Sequence, residues 1–255
     1  MRSHTSVYCT SLLLAVSVLV IHPFPASSQQ APVTPAAVLD QMETSFSNGA
    51  LVQHVQLTGT AAWYVGGQQD QGTVTLSASS DGSSTMQLIL SSGQRAESQQ
   101  GLGESSVCQW SGADGVAHAV DESNCLKPAL WFLPAFSFQP SISMPNVSVN
   151  LLGLGPVGQA SGSYVHLQSH MTFNDVPNGF ASHSMSDLGL HTTSFLPAVF
   201  AYSVLPDSGA ASSIPIEIHY ANYQSTNGVE IPFTIQRYVN GTLQLEIHVT
   251  SAQLN

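Results

Sequence analysis

The sequence predicts a mainly β protein with a single domain. Apolar and polar residues alternate over much of the chain, and Asn-Gly pairs separate the clearest alternating segments. The chain has 255 residues, of which 43% are hydrophobic, so it can bury a substantial core. All-β chains of this length commonly form one domain. We therefore expect residues 35–255 to form one β domain.

Charged residues are scarce in this chain. They make up only 7% of it, with 4 Lys and Arg against 15 Asp and Glu, whereas about 25% is usual in globular proteins. Contacts to phosphates require clustered cations. We therefore expect no nucleic-acid partner and no attachment to anionic membrane surfaces.

The first 28 residues have the pattern of a secretory signal peptide. Arg2 lies in a short polar start, residues 12–21 are apolar, and Ala26 is followed by two serines at the expected cleavage site. The apolar run has about half the length that a transmembrane helix needs, and no later segment approaches that length. The sequence thus predicts a signal peptide at 1–28, a flexible leader at 29–34 and no transmembrane segment.

The cysteines agree with export. Cys9 precedes the apolar run, so it cannot serve as a lipid-anchor cysteine after that run. After cleavage only Cys108 and Cys125 remain, and an isolated pair in an exported protein favours a disulfide over a metal site. Two free thiols are the alternative. The expected location is the periplasm or the extracellular medium.

One short helix is expected before the strands begin. Thr34 is a suitable N-cap, Pro35 suits the first helical position, and Gly49 suits the end of the helix. Between them, apolar residues recur at helical spacing: Val38, Leu39, Met42 and Phe46.

The strands are clearest in the last third of the chain. Alternation indicates an antiparallel meander with one buried and one wet face, with reversals at Asn227-Gly228 and Asn240-Gly241. We expect Phe233 and Ile247 in its core and Glu246 and His248 exposed. Earlier alternating segments comprise Val55 to Val65, Val74 to Ala78 and Met86 to Leu90, with a turn at Asp81-Gly82 between the last two. Alternation alone also suits a two-sheet β-sandwich, which is the alternative fold.

An apolar segment, residues 128–140, carries three prolines and therefore cannot join a central strand. It must dock onto the fold, either as a plug of the core or as a cover over an apolar cavity. The expected ligand-binding residues of this segment, with two tryptophans as cavity walls, are Leu130, Trp131, Phe132, Leu133, Phe136, Phe138, Trp63 and Trp110. Burial of an acyl chain there would need no charged group in the protein.

The sequence contains no motif that firmly indicates nucleotide binding, metal binding or nucleophilic catalysis. Gly153 to Gly158 matches a dinucleotide-binding pattern, but a strand follows it instead of a helix, so we expect a glycine-rich turn. His166 and His170 lie about 13 Å apart on a strand, too far to share one metal ion. No Gly-x-Ser-x-Gly motif is present for nucleophilic hydrolysis. We therefore expect no cofactor, no metal and no catalytic residues.

The closing segments resemble the LolA/LolB-like superfamily of bacterial envelope proteins. The resemblance rests on residues 216–223 (IEIHYANY), residues 227–233 (NGVEIPF) and Asn240-Gly241, together with the signal peptide, the short helix and the apolar insertion. It implies a single curved antiparallel sheet in an unclosed half-barrel, with the helix and apolar loops over a concave face that receives acyl chains.

The expected function is therefore that of a binding protein and not of an enzyme. It would hold an apolar ligand, such as an acyl chain, a lipid or a lipidated protein, between the sheet and the apolar segment. The resemblance leaves open transient contacts with other envelope proteins. The alternative is a structural or protein-interaction module of the bacterial envelope whose core is filled by its own side chains. An enzyme of unknown class is third.

Overall fold

The computed structural model describes residues 33–101, 106–125, 131–135, 146–172, 184–206 and 212–255. These residues form two helices, α1 (Pro35–Ser47) and α2 (Glu122–Cys125), and thirteen strands. The strands are β1 (His54–Val65), β2 (Gln68–Ser79), β3 (Ser84–Leu90), β4 (Gly93–Gln100), β5 (Val107–Ser111), β6 (Ala117–Ala119), β7 (Val147–Val157), β8 (Ala160–Met171), β9 (Ser186–Leu190), β10 (Pro197–Val204), β11 (Ile214–Thr226), β12 (Val229–Val239) and β13 (Thr242–Leu254).

All thirteen strands belong to one antiparallel sheet that is not closed into a barrel. The spatial order is β6-β5-β4-β3-β2-β1-β13-β12-β11-β10-β9-β8-β7. The first and last strands of the chain, β1 and β13, pair at the centre of the sheet. This confirms the unclosed half-barrel and excludes the two-sheet sandwich.

The order of the strands forces the chain across the sheet. The strands β6 and β7 are consecutive in sequence but lie at opposite edges. The connection between them must therefore pass from one edge to the other. Its described part, Trp131 to Ala135, is buried in the same hydrophobic core as the strands. The described part of the apolar segment thus lies on the concave face.

The N-terminal helix forms as its sequence predicts. The Thr34 hydroxyl accepts a hydrogen bond from the backbone N–H of Ala37 at 3.2 Å, and the helix begins at Pro35. It ends at Ser47 and is capped by Asn48, one residue before the expected glycine, because Asn48 adopts a left-handed conformation with φ 47°. The helix packs against β7 and β12 and buries its apolar stripe in the core: Val38, Leu39, Met42 and Phe46.

The two Asn-Gly reversals are confirmed. Asn227 and Gly228 have φ values of 50° and 82°, and Asn240 and Gly241 have 50° and 73°. Positive φ at both central residues is what a type I′ turn requires. Asn and Gly accept that conformation at little cost, so these pairs fix the register of β11, β12 and β13.

Side chains of the closing meander (β11–β13) are buried to different extents, whereas the alternation predicts only buried and exposed positions. Ile247 is fully buried, whereas Phe233 is only half-buried, although it packs against the core. Glu246 is also half-buried, and its carboxylate accepts a 2.8 Å hydrogen bond from the Gln236 amide. The His248 side chain is exposed as expected.

The expectation of a glycine-rich turn at residues 153–158 is wrong in extent. Strand β7 continues to Val157, and only Gly158 and Gln159 form the turn into β8. The strand tolerates its glycines and Pro156 because it is an edge strand with two register irregularities. The tip of this β7–β8 hairpin packs against Val199 and Ala201 of β10 in a small second core.

The predicted disulfide between Cys108 and Cys125 is present, with the Cα atoms 5.7 Å apart. It joins β5, near one edge of the sheet, to the end of α2. The bond therefore fixes the point at which the chain leaves this edge. Neither helix in the described part of the chain has the length and hydrophobicity that a membrane span requires.

Substitutions at Ile247 and His248 test which face of β13 is buried and which is exposed to solvent. We expect Ile247→Ala to lower the free energy of unfolding by about 2 to 5 kcal/mol, because the side chain is fully buried. The neighbouring change His248→Ala should alter it by about 0.5 kcal/mol or less. Denaturant unfolding measures both, and equal losses would contradict the assigned faces.

A pH-dependent contact links β2 to the turn between β3 and β4. The Asp70 carboxylate accepts hydrogen bonds from the Ser91 hydroxyl and from the backbone N–H groups of Ser91 and Ser92, both at 3.1 Å. The bonds from Ser91 and then Ser92 lower the pKa of Asp70 to about 2. An unfolded Asp has a pKa of about 3.9. The stabilisation is therefore complete above that value and is lost as the pH falls through about 2.

The variant Asp70→Asn should accordingly be less stable than the native protein at neutral pH, and the difference should vanish near pH 2. Thermal unfolding across this range measures the effect. Asp81→Asn is the control, because Asp81 lies in the turn between β2 and β3 and its carboxylate accepts a hydrogen bond from the Ser83 N–H at 2.9 Å. A difference for Asp70→Asn that persists at low pH would contradict the assignment.

Candidate ligand-binding site

A cavity of about 460 Å³ lies between the concave face and the chain segment that crosses it. Its walls come from both halves of the sheet, from the region of α2 and from the crossing segment. All 3 tryptophans of the chain line it, namely Trp63 on β1, Trp110 on β5 and Trp131 on the crossing segment. This volume lies within the range of small-molecule binding sites.

The structure brings four of the eight predicted site residues to this cavity: Trp63, Trp110, Trp131 and Phe132. Leu133 is instead buried in the core beside them. The other three, Leu130, Phe136 and Phe138, lie outside the described residues.

The crossing segment is anchored by burial and by one hydrogen bond. Phe132 and Leu133 are among the most fully buried side chains in the described residues, and Trp131 is 8% exposed. The Tyr220 hydroxyl on β11 donates a hydrogen bond to the Trp131 carbonyl oxygen. Burial raises the pKa of Tyr220 well above its usual range, so the hydroxyl keeps its proton. The described part of the segment therefore fills the core and also forms a wall of the cavity.

An ion pair crosses the cavity. The Arg237 guanidinium on β12 donates through Nη1 to both carboxylate oxygens of Glu97 on β4, at 2.8 and 3.1 Å. The side chain of Arg237 is 9% exposed and that of Glu97 is 36% exposed. Four strands separate β4 from β12 in the sheet, which corresponds to about 24 Å along its surface. The pair can form only because the sheet is strongly curved.

Aromatic rings surround the cations. The Arg237 guanidinium carbon lies 4.9 Å from the centroid of the Trp131 ring and 5.6 Å from that of the Trp63 ring. The Arg95 guanidinium carbon lies 5.2 Å from the Trp63 ring centroid. These distances are those of cation–π contacts. The tryptophans therefore hold the charges at the cavity and also give it apolar walls.

A tyrosine completes this part of the wall. Tyr202 of β10 lines the cavity. Burial raises the pKa of the Tyr202 hydroxyl, an effect that the charge of Arg237 opposes and that of Glu97 adds to. The hydroxyl is therefore protonated at neutral pH and does not act as a base there.

The charged residues Glu97 and Arg237 of the cavity wall are not among the site residues predicted from the sequence. Arg237 lies two residues after Ile235 and six after Ile231, so the alternation of β12 alone places it on the buried face. The same argument assigns Glu97 and Arg95 to one face of β4. No local pattern, however, indicates that β4 and β12 approach each other.

A second cavity, of about 600 Å³, lies under the turn of the β7–β8 hairpin. Two histidine–carboxylate pairs stand beside it: His166 with Asp187 at 2.8 Å, and His219 with Glu217. The Glu217 carboxylate also accepts a hydrogen bond from the backbone N–H of Gln159 in the turn. Within the described residues no three His, Cys, Asp or Glu side chains are grouped as metal ligands. The His166–Asp187 pair joins the hairpin to β9, and the bond from Gln159 to Glu217 joins its turn to β11.

Comparison with solved structures identifies the fold as LolA-like. A LolA superfamily protein from Nitrosomonas europaea matches with a TM-score of 0.52 at 12% identity, covering 88% of this chain and 94% of that one. A putative outer membrane lipoprotein-sorting protein domain from Vibrio parahaemolyticus matches with a TM-score of 0.52 at 10% identity, covering 85% and 91%. No protein-family model matches the sequence, and no curated protein matches it. The predicted resemblance is confirmed at the level of the fold.

The ion pair can be tested by a double-mutant cycle. We expect Arg237→Met to cost about 1 to 3 kcal/mol of unfolding free energy, less than for a fully buried pair because Glu97 is partly exposed. Glu97→Gln and the double variant complete the cycle, and the coupling energy should be about 1 kcal/mol or more.

The control is the pair of His248, which is exposed, and Glu246, which is half-buried, 3.8 Å apart on a single strand. Its coupling energy, from His248→Gln and Glu246→Gln, should be near zero. Equal coupling in the two cycles would show that the pair across the cavity does not hold the sheet in its curved form.

Proposed function

We propose that this chain is a periplasmic or secreted binding protein that holds an apolar ligand between its curved sheet and the crossing segment. The ligand class is an acyl chain, carried by a free lipid or by a lipidated protein. Residues 1–28 act as the signal peptide and residues 35–255 as the binding domain. The observation that carries this proposal is the cavity of about 460 Å³ lined by all 3 tryptophans of the chain.

The cavity has the chemistry that an acyl chain needs. Trp63, Trp110, Trp131 and Phe132 offer aromatic walls, and Met86 offers a flexible thioether that adapts to different chains. Each buried methylene contributes about 0.8 kcal/mol. About ten of them would offset an entropic cost of association of about 4 kcal/mol or more.

The structural neighbours support the same class of function. One is a LolA superfamily protein and the other is a putative outer membrane lipoprotein-sorting protein domain. We extend the binding role, but no particular cargo, from them to this chain. Catalysis is not proposed, because the titratable groups of the described cavity wall are engaged otherwise. Glu97 is paired with Arg237, and Tyr202 remains protonated.

One observation favours a second candidate, an interaction module of the envelope with a self-filled core. The side chains of Trp131 to Ala135 already occupy part of the concave face, with Phe132 and Leu133 each 1% exposed. If the remaining space stays empty, the ligand role fails and the interaction role stands.

Two measurements distinguish these candidates. Lipid extraction and mass spectrometry of the purified protein should recover a bound acyl-chain compound, and purified delipidated protein should bind palmitate in a fluorescence-displacement assay. Trp110→Ala is the informative variant, because Trp110 lines the cavity and, at 38% exposed, can be replaced without opening the core. Loss of about 50 Å² of apolar contact at about 25 cal/mol per Å² corresponds to about tenfold weaker binding.

The matched control for this variant is Ile89→Ala. Ile89 is 57% exposed on β3 and does not line the cavity, so its replacement should leave palmitate affinity unchanged. Absence of both extracted lipid and palmitate binding would exclude the ligand role. An equal loss in the two variants would place the binding site elsewhere.

A further inference from the structure

The strongest unexplained feature of the cavity is a set of buried hydrogen-bond donors. Nε of Arg95, Nε of Arg237 and Nε1 of Trp63 are buried and have no hydrogen-bond acceptor among the described residues. All three groups can only donate. A buried donor without an acceptor is costly, so such groups are rare unless a ligand or water satisfies them.

The three donors belong to one cluster. Both guanidinium groups lie over the Trp63 ring, at 5.2 and 5.6 Å from its centroid. Trp63 and Arg237 line the cavity that we propose for the acyl chain. Two of the unsatisfied donors therefore stand at the boundary of that cavity, and the third, on Arg95, lies next to them over the Trp63 ring.

This cluster is cationic, although the chain as a whole carries a net negative charge. The protein has 4 Lys and Arg and a net charge of −11, yet two of these cations, Arg95 and Arg237, meet at one indole ring. Glu97 neutralises one guanidinium through its ion pair with Arg237. Two cations against one carboxylate leave about one positive charge beside the apolar walls, which is the complement of a monoanion.

We propose that the ligand is an anionic amphiphile whose acyl chain occupies the tryptophan-lined cavity and whose carboxylate or phosphate is received by Arg95, Arg237 and Trp63. This proposal rests on the acyl-chain binding function proposed above and adds the chemistry of the headgroup. An anionic oxygen group accepts from several N–H donors at once, so it satisfies the cluster as an uncharged chain cannot. Guanidinium groups suit both carboxylate and phosphate geometry.

Three ligands with the same chain test the headgroup: laurate, dodecyl phosphate and the uncharged dodecanol. Their dissociation constants are measured at neutral pH for the native protein and for Arg95→Gln. The affinity of the better anion relative to dodecanol should fall about tenfold in the variant, because charge-assisted hydrogen bonds are lost. Laurate and dodecyl phosphate distinguish a fatty-acid carboxylate from a phosphate headgroup.

The matched control is Gln94→Glu. It lowers the net charge by one, as Arg95→Gln does, but at an exposed position of the same strand. The anion-to-alcohol preference should persist in this control, which separates contact at the cluster from long-range repulsion. Glu97→Gln provides the opposite test, because removal of the competing carboxylate should tighten anion binding relative to dodecanol.

The outcomes separate the two proposals. Equal relative affinities in the native protein and Arg95→Gln, with dodecanol still bound, would overturn the anionic headgroup and leave the acyl-chain cavity standing. An equal fall in Arg95→Gln and Gln94→Glu would also overturn the headgroup site. No binding of any of the three ligands would overturn the binding function itself and this proposal with it.

Discussion

The ion pair between Arg237 and Glu97 is the constraint on which the curvature of the sheet depends. It joins two strands that are separated by four others in the sheet, and it therefore spans the concave face. A flat sheet would hold these charges about 24 Å apart, beyond the reach of the two side chains. A guanidinium buried to this extent would be costly without its carboxylate. The pair therefore couples the curvature of the sheet to the existence of the cavity.

The path of the chain explains what lies inside that curve. An open sheet whose central pair is β1 and β13 leaves β6 and β7 at its two edges, and the connection between them must cross a face. The connection is rich in aromatic residues and prolines, and the side chains of Trp131, Phe132 and Leu133 are buried in the core. Its described part packs on the concave face and also forms one wall of the remaining cavity. The disulfide fixes where it leaves one edge, and the Tyr220 hydroxyl holds it at the Trp131 carbonyl.

Scarcity of charge makes the few cationic side chains informative. Polarity on the outer surface comes largely from uncharged side chains, and the histidine–carboxylate pairs of the outer face are local contacts between neighbouring strands or within one strand. By contrast, Arg95 and Arg237 converge on one tryptophan at the cavity. Placing cations in a buried, aromatic setting costs desolvation energy. The cation–π contacts and the Glu97 carboxylate offset part of this cost, and the remaining donors give the cavity a polar end.

The sequence by itself determined the features that depend on neighbouring residues. The helix followed from its N-cap and its apolar spacing, the last strands from their alternation and their Asn-Gly turns, and the Cys108–Cys125 bond from the pairing of two isolated cysteines. The half-barrel came from a family resemblance, because alternation alone does not distinguish one curved sheet from two packed sheets. Only the tertiary structure decided the pairing of β1 with β13, the half-burial of Phe233, the strand in place of a glycine-rich turn before Gly158, and the charged cluster of the cavity. Alternation tells on which face Arg237 and Glu97 lie, but contact between strands 4 and 12 depends on the curvature of the entire sheet, which no local pattern specifies.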